Sequence, residues 1–133
     1  MRDHGSASVL ILGMVGLTVV LGLMLGTAGH YLSVRSQAQA AADAAALAAA
    51  PVTFRPFGSE GDPAAEAVRL ANANGAQLVR CVCQIDRSWA VRIVEVEVAW
   101  EIDLIGLGRR EVRAVAAAEF VPVNLLLVWT EFG

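Results

Sequence analysis

Residues 7–50 read ASVLILGMVGLTVVLGLMLGTAGHYLSVRSQAQAAADAAALAAA, with no proline anywhere in the stretch. Residues 5–29 carry no charge, and the run from Val9 to Leu25 is strongly apolar. A helix crosses the hydrocarbon core of a bilayer with about 20 such residues. Backbone in lipid must satisfy its own hydrogen bonds, so the span is expected to be helical. After His30 and Tyr31 the composition changes to alanine and glutamine, which are good helix formers. Nothing interrupts the pattern before Pro51, which removes a donor and clashes inside a helix. The stretch therefore predicts one helix running from a membrane span into water, about 65 Å long if straight. An alanine-rich helix is a mediocre soluble helix alone; packed against similar helices, or against its own domain, it becomes stable.

Working outward, the expected layout is an N-terminal cytoplasmic segment (1–6), a transmembrane helix (7–31), a helical stalk (32–50), a linker (51–61) and a small exported domain (62–133). Arg2 and His4 before the span and Arg35 after it leave only a weak charge bias. The very short N-terminus favours an N-inside orientation in the cytoplasmic membrane, with the remainder exported. A cleaved secretory signal is the alternative, with Ala28-Gly29-His30 imitating its site, although such signals have shorter apolar cores. Gly22, Gly26, Gly29 and Ser33 recur at steps of four and three along one helix face, a spacing that lets a second helix approach closely.

Composition excludes several functions. The 133-residue chain has 56% hydrophobic and only 17% charged residues, with the apolar excess in its first fifty positions. Its net charge is -3 and its ten basic residues are all arginine, scattered apart from the adjacent Arg109 and Arg110. Nucleic-acid binding needs clustered positive charge, so none is expected.

Beyond the linker, Asp62 and Pro63 mark a helix start: an N-cap oxygen followed by proline at the first helical position. Gly75 is its natural stop, with Asn74 before it. Ala64, Ala67, Val68 and Ala71 fall on one face, which argues for packing on a sheet. Three strands are predicted, over 78–85, 89–102 and 111–121, with a turn at 86–88 and a loop at 104–108. In the second strand Val94, Val96, Val98, Trp100 and Ile102 alternate with Glu95, Glu97, Ala99, Glu101 and Asp103. Trp89, Val91 and Ile93 have the opposite phase, which a bulge near Ile93 and Val94 would reconcile. In the third, Val112, Ala114, Ala116, Ala118 and Phe120 share a face. Short connections predict an antiparallel meander. The fold class is thus α+β: a long helix, then a short helix packed on a three-stranded sheet, with a fourth strand or core-covering segment as one reading of Pro122 to Trp129. A partner or membrane-interface contact is the other reading of that tail.

The opening residues 2–9, the glycine-punctuated span and the segment Arg35-x-Gln37-Ala38-Gln39 through Ala50 resemble TadE-like proteins. The Ala73-Asn74-Gly75-Ala76 stretch before a cysteine strand, and residues 104–108, resemble the actinobacterial TadE-like group found with secretion-type ATPase genes. The resemblance implies a minor pilin or pseudopilin of a tight-adherence pilus or a related type II/IV-like machine. It implies cleavage by a membrane prepilin peptidase, for which Gly5 and Ser6 are the candidate site. The glutamate that prepilins often carry five residues after the cut is replaced by Leu10. Members of the group often pair a cysteine at the start of the second helix with one in the first strand; here residues 61–65 contain no cysteine, so that pairing cannot form.

For chemistry, Cys81 and Cys83 are the only thiols. As neighbours-but-one on a strand they would share a face and sit badly for a disulfide. Free thiols or intermolecular pairing are therefore expected. A zinc site would need two more ligands, and His4 and His30 both lie near the anchor. No catalytic, cofactor-binding or metal residues are assigned: the glutamates of the second strand read as a solvated face, and the folded domain has no histidine for a triad. The sequence therefore points to a structural, non-enzymatic membrane protein, a hetero-oligomer with other pilin-like or secretion-system proteins through its first helix. The alternative is a binding protein released or displayed at the surface.

Overall fold

The computed structural model describes residues 4–55, 61–104 and 108–126, with side chains from residue 7 onward. Helix α1 spans His4–Val52, 49 residues without a break. Pro51 stands inside its last turn rather than beyond it, and the helix ends one residue later. The end is closed locally: the Thr53 amide and hydroxyl both donate to the Ala50 carbonyl (3.2 and 2.6 Å), and the Phe54 amide donates to the Pro51 carbonyl (3.2 Å).

The chain divides into two compact units, Met1–Ser33 and Val34–Gly133. In the first, the apolar side chains of α1 are exposed all round. The second holds the core. Its boundary corrects the expected layout, in which residues 32–50 formed a stalk and the domain began at 62. Eight residues of that stretch, Val34, Ala38, Ala41, Ala42, Ala45, Ala46, Ala49 and Ala50, are buried in one apolar cluster with the sheet. Their spacing of three and four keeps them on one helix face. Of the two ways the alanine helix was expected to gain stability, packing on its own domain is the one seen.

Helix α2 spans Pro63–Ala73. Asp62 caps it, its side chain accepting from the Ala64 amide (3.1 Å), and Pro63 occupies the first turn. The cap satisfies an amide that would otherwise lack an intrahelical partner. Asn74 closes the helix, and Gly75 follows with φ +79. A Cβ on Gly75 would lie 2.9 Å from the Trp100 ring, so glycine is required there twice over, for its backbone and for its missing side chain. The buried stripe of α2 is Pro63, Ala67 and Ala71. Val68, expected inward, is 40% exposed, because α2 lies against β1 through this narrower face.

The sheet is β1 (Gln77–Val82), β2 (Arg92–Leu104) and β3 (Gly108–Phe120), antiparallel and in the order β1-β2-β3. The α+β architecture is the one the sequence predicts. Val94, Val96, Val98 and Ile102 of β2 and Val112, Ala114, Ala116 and Ala118 of β3 are buried beneath α1, as their alternation requires. The pairing of β2 with β3 is continuous from Arg92↔Phe120 to Leu104↔Gly108, so the bulge expected at Ile93 and Val94 is absent. Trp89 and Val91 instead lie in the connection before β2, where the strand period does not apply. The irregularity falls in β1, between Leu78 and Arg80. The chain after β3 turns at Pro122 and Val123 and is helical at residues 124–126, so no fourth strand forms among the described residues. The remainder of the tail, residues 105–107 of the β2–β3 loop and residues 56–60 of the linker lie outside them.

Candidate functional site

Four features deserve a functional reading, and the first is α1 before Val34. Ala7–Val52 is long and apolar enough to cross a membrane, and its most apolar window has no buried residue. Its two threonines are satisfied within the helix: the Thr18 hydroxyl donates to the Val15 carbonyl (2.9 Å) and the Thr27 hydroxyl to the Leu23 carbonyl (2.8 Å). Such back-bonding leaves neither hydroxyl unmatched in an apolar solvent. Gly22, Gly26 and Gly29 have open space where a Cβ would stand. With Ser33 they occupy one helix face at steps of four, three and four. The candidate cleavage pair Gly5 and Ser6 falls in the helical backbone, and its side chains lie outside the described residues.

The second feature is the cysteine pair. The structure joins Cys81 to Cys83, with Cα atoms 5.4 Å apart, and no free cysteine remains among the described residues. This corrects the expectation of free or intermolecular thiols. Two residues of extended strand span about 6.6 Å, the far end of the range a disulfide accepts. Here β1 ends at Val82, so Cys83 has already left the strand, and the Cα separation falls within the range a disulfide accepts.

The third is the outer face of the sheet. Glu95 pairs with Arg80, while Glu97 is shared by Arg80 (3.6 Å) and Arg113 (3.4 Å). Glu111 also pairs with Arg113 (2.5 Å). Glu95 and Glu97 are cross-strand ion partners and Glu111 pairs along its own strand, so these carboxylates serve in exposed ion pairs rather than as an acid–base dyad. No group of histidine, cysteine and carboxylate residues that could hold a metal ion occurs among the described residues.

The fourth was not anticipated from sequence. Phe54, just past α1, meets Trp89 edge-on (5.0 Å between centroids) and Phe120 (5.9 Å). The Arg92 guanidinium lies 5.3 Å from the Phe54 ring centre. It donates to the carbonyls of Thr53 (3.1 Å), Asp86 (2.7 Å), Ser88 (2.5 Å) and Ala90 (3.3 Å). One side chain thus ties the end of α1 to the 83–91 connection, a structural role that occupies both of its terminal nitrogens. The only sequence signal was the arginine at a strand start after a loop rich in polar residues.

The same loop supplies a pH dependence. The Asp86 carboxylate accepts from the Ser88 hydroxyl (2.6 Å) and amide (2.9 Å). These bonds, the hydroxyl's first, hold its pKa below the ordinary aspartate value, with Arg92 adding a weaker attraction. A depressed carboxylate pKa contributes stability that is present above the unfolded-state pKa and lost as pH falls through the folded one. Acid unfolding of the chain is expected to retain less of this dependence in Ser88→Ala, measured by circular dichroism from neutral pH to below the ordinary aspartate range. The loss should appear only on the acid side.

Comparison with known proteins bears on the first feature. Residues 5–52 match the family model of TadE/G-like Flp pilus-assembly proteins. Through this segment the chain is TadE-like. The match ends at the last residue of α1, so it covers the apolar segment and the alanine face and stops short of the sheet. No curated protein and no solved structure matches the chain. The matched family is one of pilus assembly, which supports a pilus-related component with a structural role.

Proposed function

We propose that the chain is a minor-pilin-like or pseudopilin-like structural component of a Tad-type pilus or a type II/IV-like secretion apparatus, anchored in the cytoplasmic membrane by α1. The observation that carries this reading is a single helix, His4–Val52, coincident with the pilus-assembly match, whose apolar part is wholly unburied while its alanine part is core. An exposed apolar helix of this length is unstable in water and stable in lipid. The orientation would be N-inside, with the sheet unit exported. The face of Gly22, Gly26, Gly29 and Ser33 would receive the helix of another pilin-like or secretion-system protein, since small residues allow the close backbone approach that drives association in lipid. A prepilin peptidase acting between Gly5 and Ser6 is part of the same proposal.

The test is membrane extraction followed by N-terminal sequencing of the mature chain. Retention in the membrane after carbonate washing, with an intact terminus or a new one at Ser6, supports the anchor. A soluble form beginning near His30 would overturn it and favour a released binding protein.

A further inference from the structure

A cross-link stabilises a fold chiefly by restricting the unfolded chain, and more so the longer the loop it closes. The Cys81–Cys83 bond joins residues at a sequence separation of 2, so it adds little as a staple. A disulfide that its fold stabilises little is one that reductants open readily. Both cysteines are half-buried against the core cluster. The sheet shows what the bond does locally. β1 pairs with β2 as far as Val82↔Glu95 and then stops. Val94, Ile93 and Arg92 of β2 pair with β3 alone among the described residues. Continuing the same register would set Cys83 opposite Val94 and Gln84 opposite Ile93. The chain departs instead, and an open notch of about 280 Å³ stands in the gap, lined by Val82, Gln84, Asp86, Arg92, Ile93 and Val94. The bond holds the two Cα atoms 5.4 Å apart, where an extended pair stands about 6.6 Å apart. It therefore pulls the chain short of strand geometry at the residue where β1 ends.

We propose that Cys81 and Cys83 are a redox-active pair opened by a dithiol reductant, and that its opening lengthens β1 by Cys83 and Gln84 and closes the notch. A thiolate of the reductant attacks Sγ of Cys83, which lies past the end of the strand, and forms a mixed disulfide. The Cys81 sulfur leaves with the electron pair and takes a proton. The reductant's second thiol, as its thiolate, attacks the reductant sulfur of the mixed disulfide and releases Cys83, which is protonated in turn. Two electrons and two protons have then passed from the dithiol, which departs as a disulfide. Neither thiol has to leave the core side, because residues 81 and 83 of an extended strand share a face and a free thiol packs as a small apolar group. Gln84 comes to stand beside Ile93, which is 66% exposed in the notched form. The Asp86 bonds to Thr53 and Arg55 lie beyond the added residues and anchor the connection in both states. The inference draws on the cysteines and the sheet alone and is independent of the membrane reading.

Amide hydrogen exchange of the full chain in detergent, with and without excess dithiothreitol, tests it. Alkylation and intact mass should show both cysteines of the wild type reduced without denaturant. The reduced chain should still melt cooperatively. Peptides covering residues 83–84 and 92–94 should exchange more slowly after reduction, by about tenfold at the newly bonded amides. The variant carrying both Cys81→Ala and Cys83→Ala cannot form the bond, and should show the slow exchange with or without reductant. A bond that survives excess dithiothreitol until the chain is denatured would overturn the proposal, and so would a reduced chain that unfolds, since either marks the bond as a staple. Exchange over 83–84 and 92–94 that is unchanged or faster on reduction would overturn the lengthening of β1.

Discussion

Ala45→Asp is expected to unfold the sheet-containing unit, while Leu47→Asp leaves it standing. Ala45 is 0% exposed and Leu47 is 66% exposed, two positions apart on α1. Side-chain hydropathy alone would rank these substitutions the other way. At Ala45 the carboxylate would enter the alanine–valine cluster with no cation nearby, a cost of about 4 kcal/mol or more. Small domains are stable by only about 5–15 kcal/mol, so most of the margin would go. At Leu47 the carboxylate would stay in water, and the change should stay within about 0.5 kcal/mol. Thermal melts of the full chain in detergent, followed by near-ultraviolet circular dichroism of the tryptophans, separate the two cases. Equal loss in both variants would show that α1 buries a different face.

Arg92→Ala should cost about 3 kcal/mol. The side chain is 10% exposed, and its two terminal nitrogens reach four backbone carbonyls. Its Nε is buried without an acceptor, so the clamp works through the terminal nitrogens alone. Some of the loss is the cation–π contact with Phe54, worth about 0.5–1 kcal/mol. Water would replace donors on the exposed loop carbonyls. The Thr53 carbonyl keeps the Asp86 amide (3.0 Å), which limits the damage at the end of α1. Arg92→Lys should recover less than half, because one ammonium cannot reproduce the planar fork that serves both the Thr53 side and the Ser88 side. The local signature is faster hydrogen exchange at the Asp86 and Arg55 amides, whose bonds join the two segments. If Arg92→Lys proved fully stable, the forked geometry would be irrelevant and only the charge would matter.

The parts of the fold legible in sequence were those governed by local rules. The α2 start was readable because Asp62 and Pro63 each suit only that position, and its stop because Gly75 can adopt positive φ. The buried faces of β2 and β3 followed from strict alternation. The glycines and serine of α1 were readable as one face from spacing alone. The fate of the alanine tract was less so. Almost every residue from 38 to 50 is alanine, so hydropathy marks no side. The stripe Gln39, Asp43 and Leu47 does mark the outward face, but a leucine on it hides the signal. The cysteines were misread for a related reason: the separation of Cys81 and Cys83 depends on where β1 ends, and strand ends are set by pairing partners. Arg92 itself reaches a residue 39 positions away, and its cluster has no local signature.

By itself, then, the amino-acid order determined a helix from membrane-like to alanine-rich composition, a capped second helix and two amphipathic strands. Each depends on interactions within a few residues, which the chain encodes directly. Only the tertiary structure decided that the alanine tract is core, that β1 stops at Val82, and that among the described residues no further strand joins β3. Those outcomes turn on which distant surfaces meet, and alanine, the residue that makes close packing here feasible, is also the one that says least in advance about its partner.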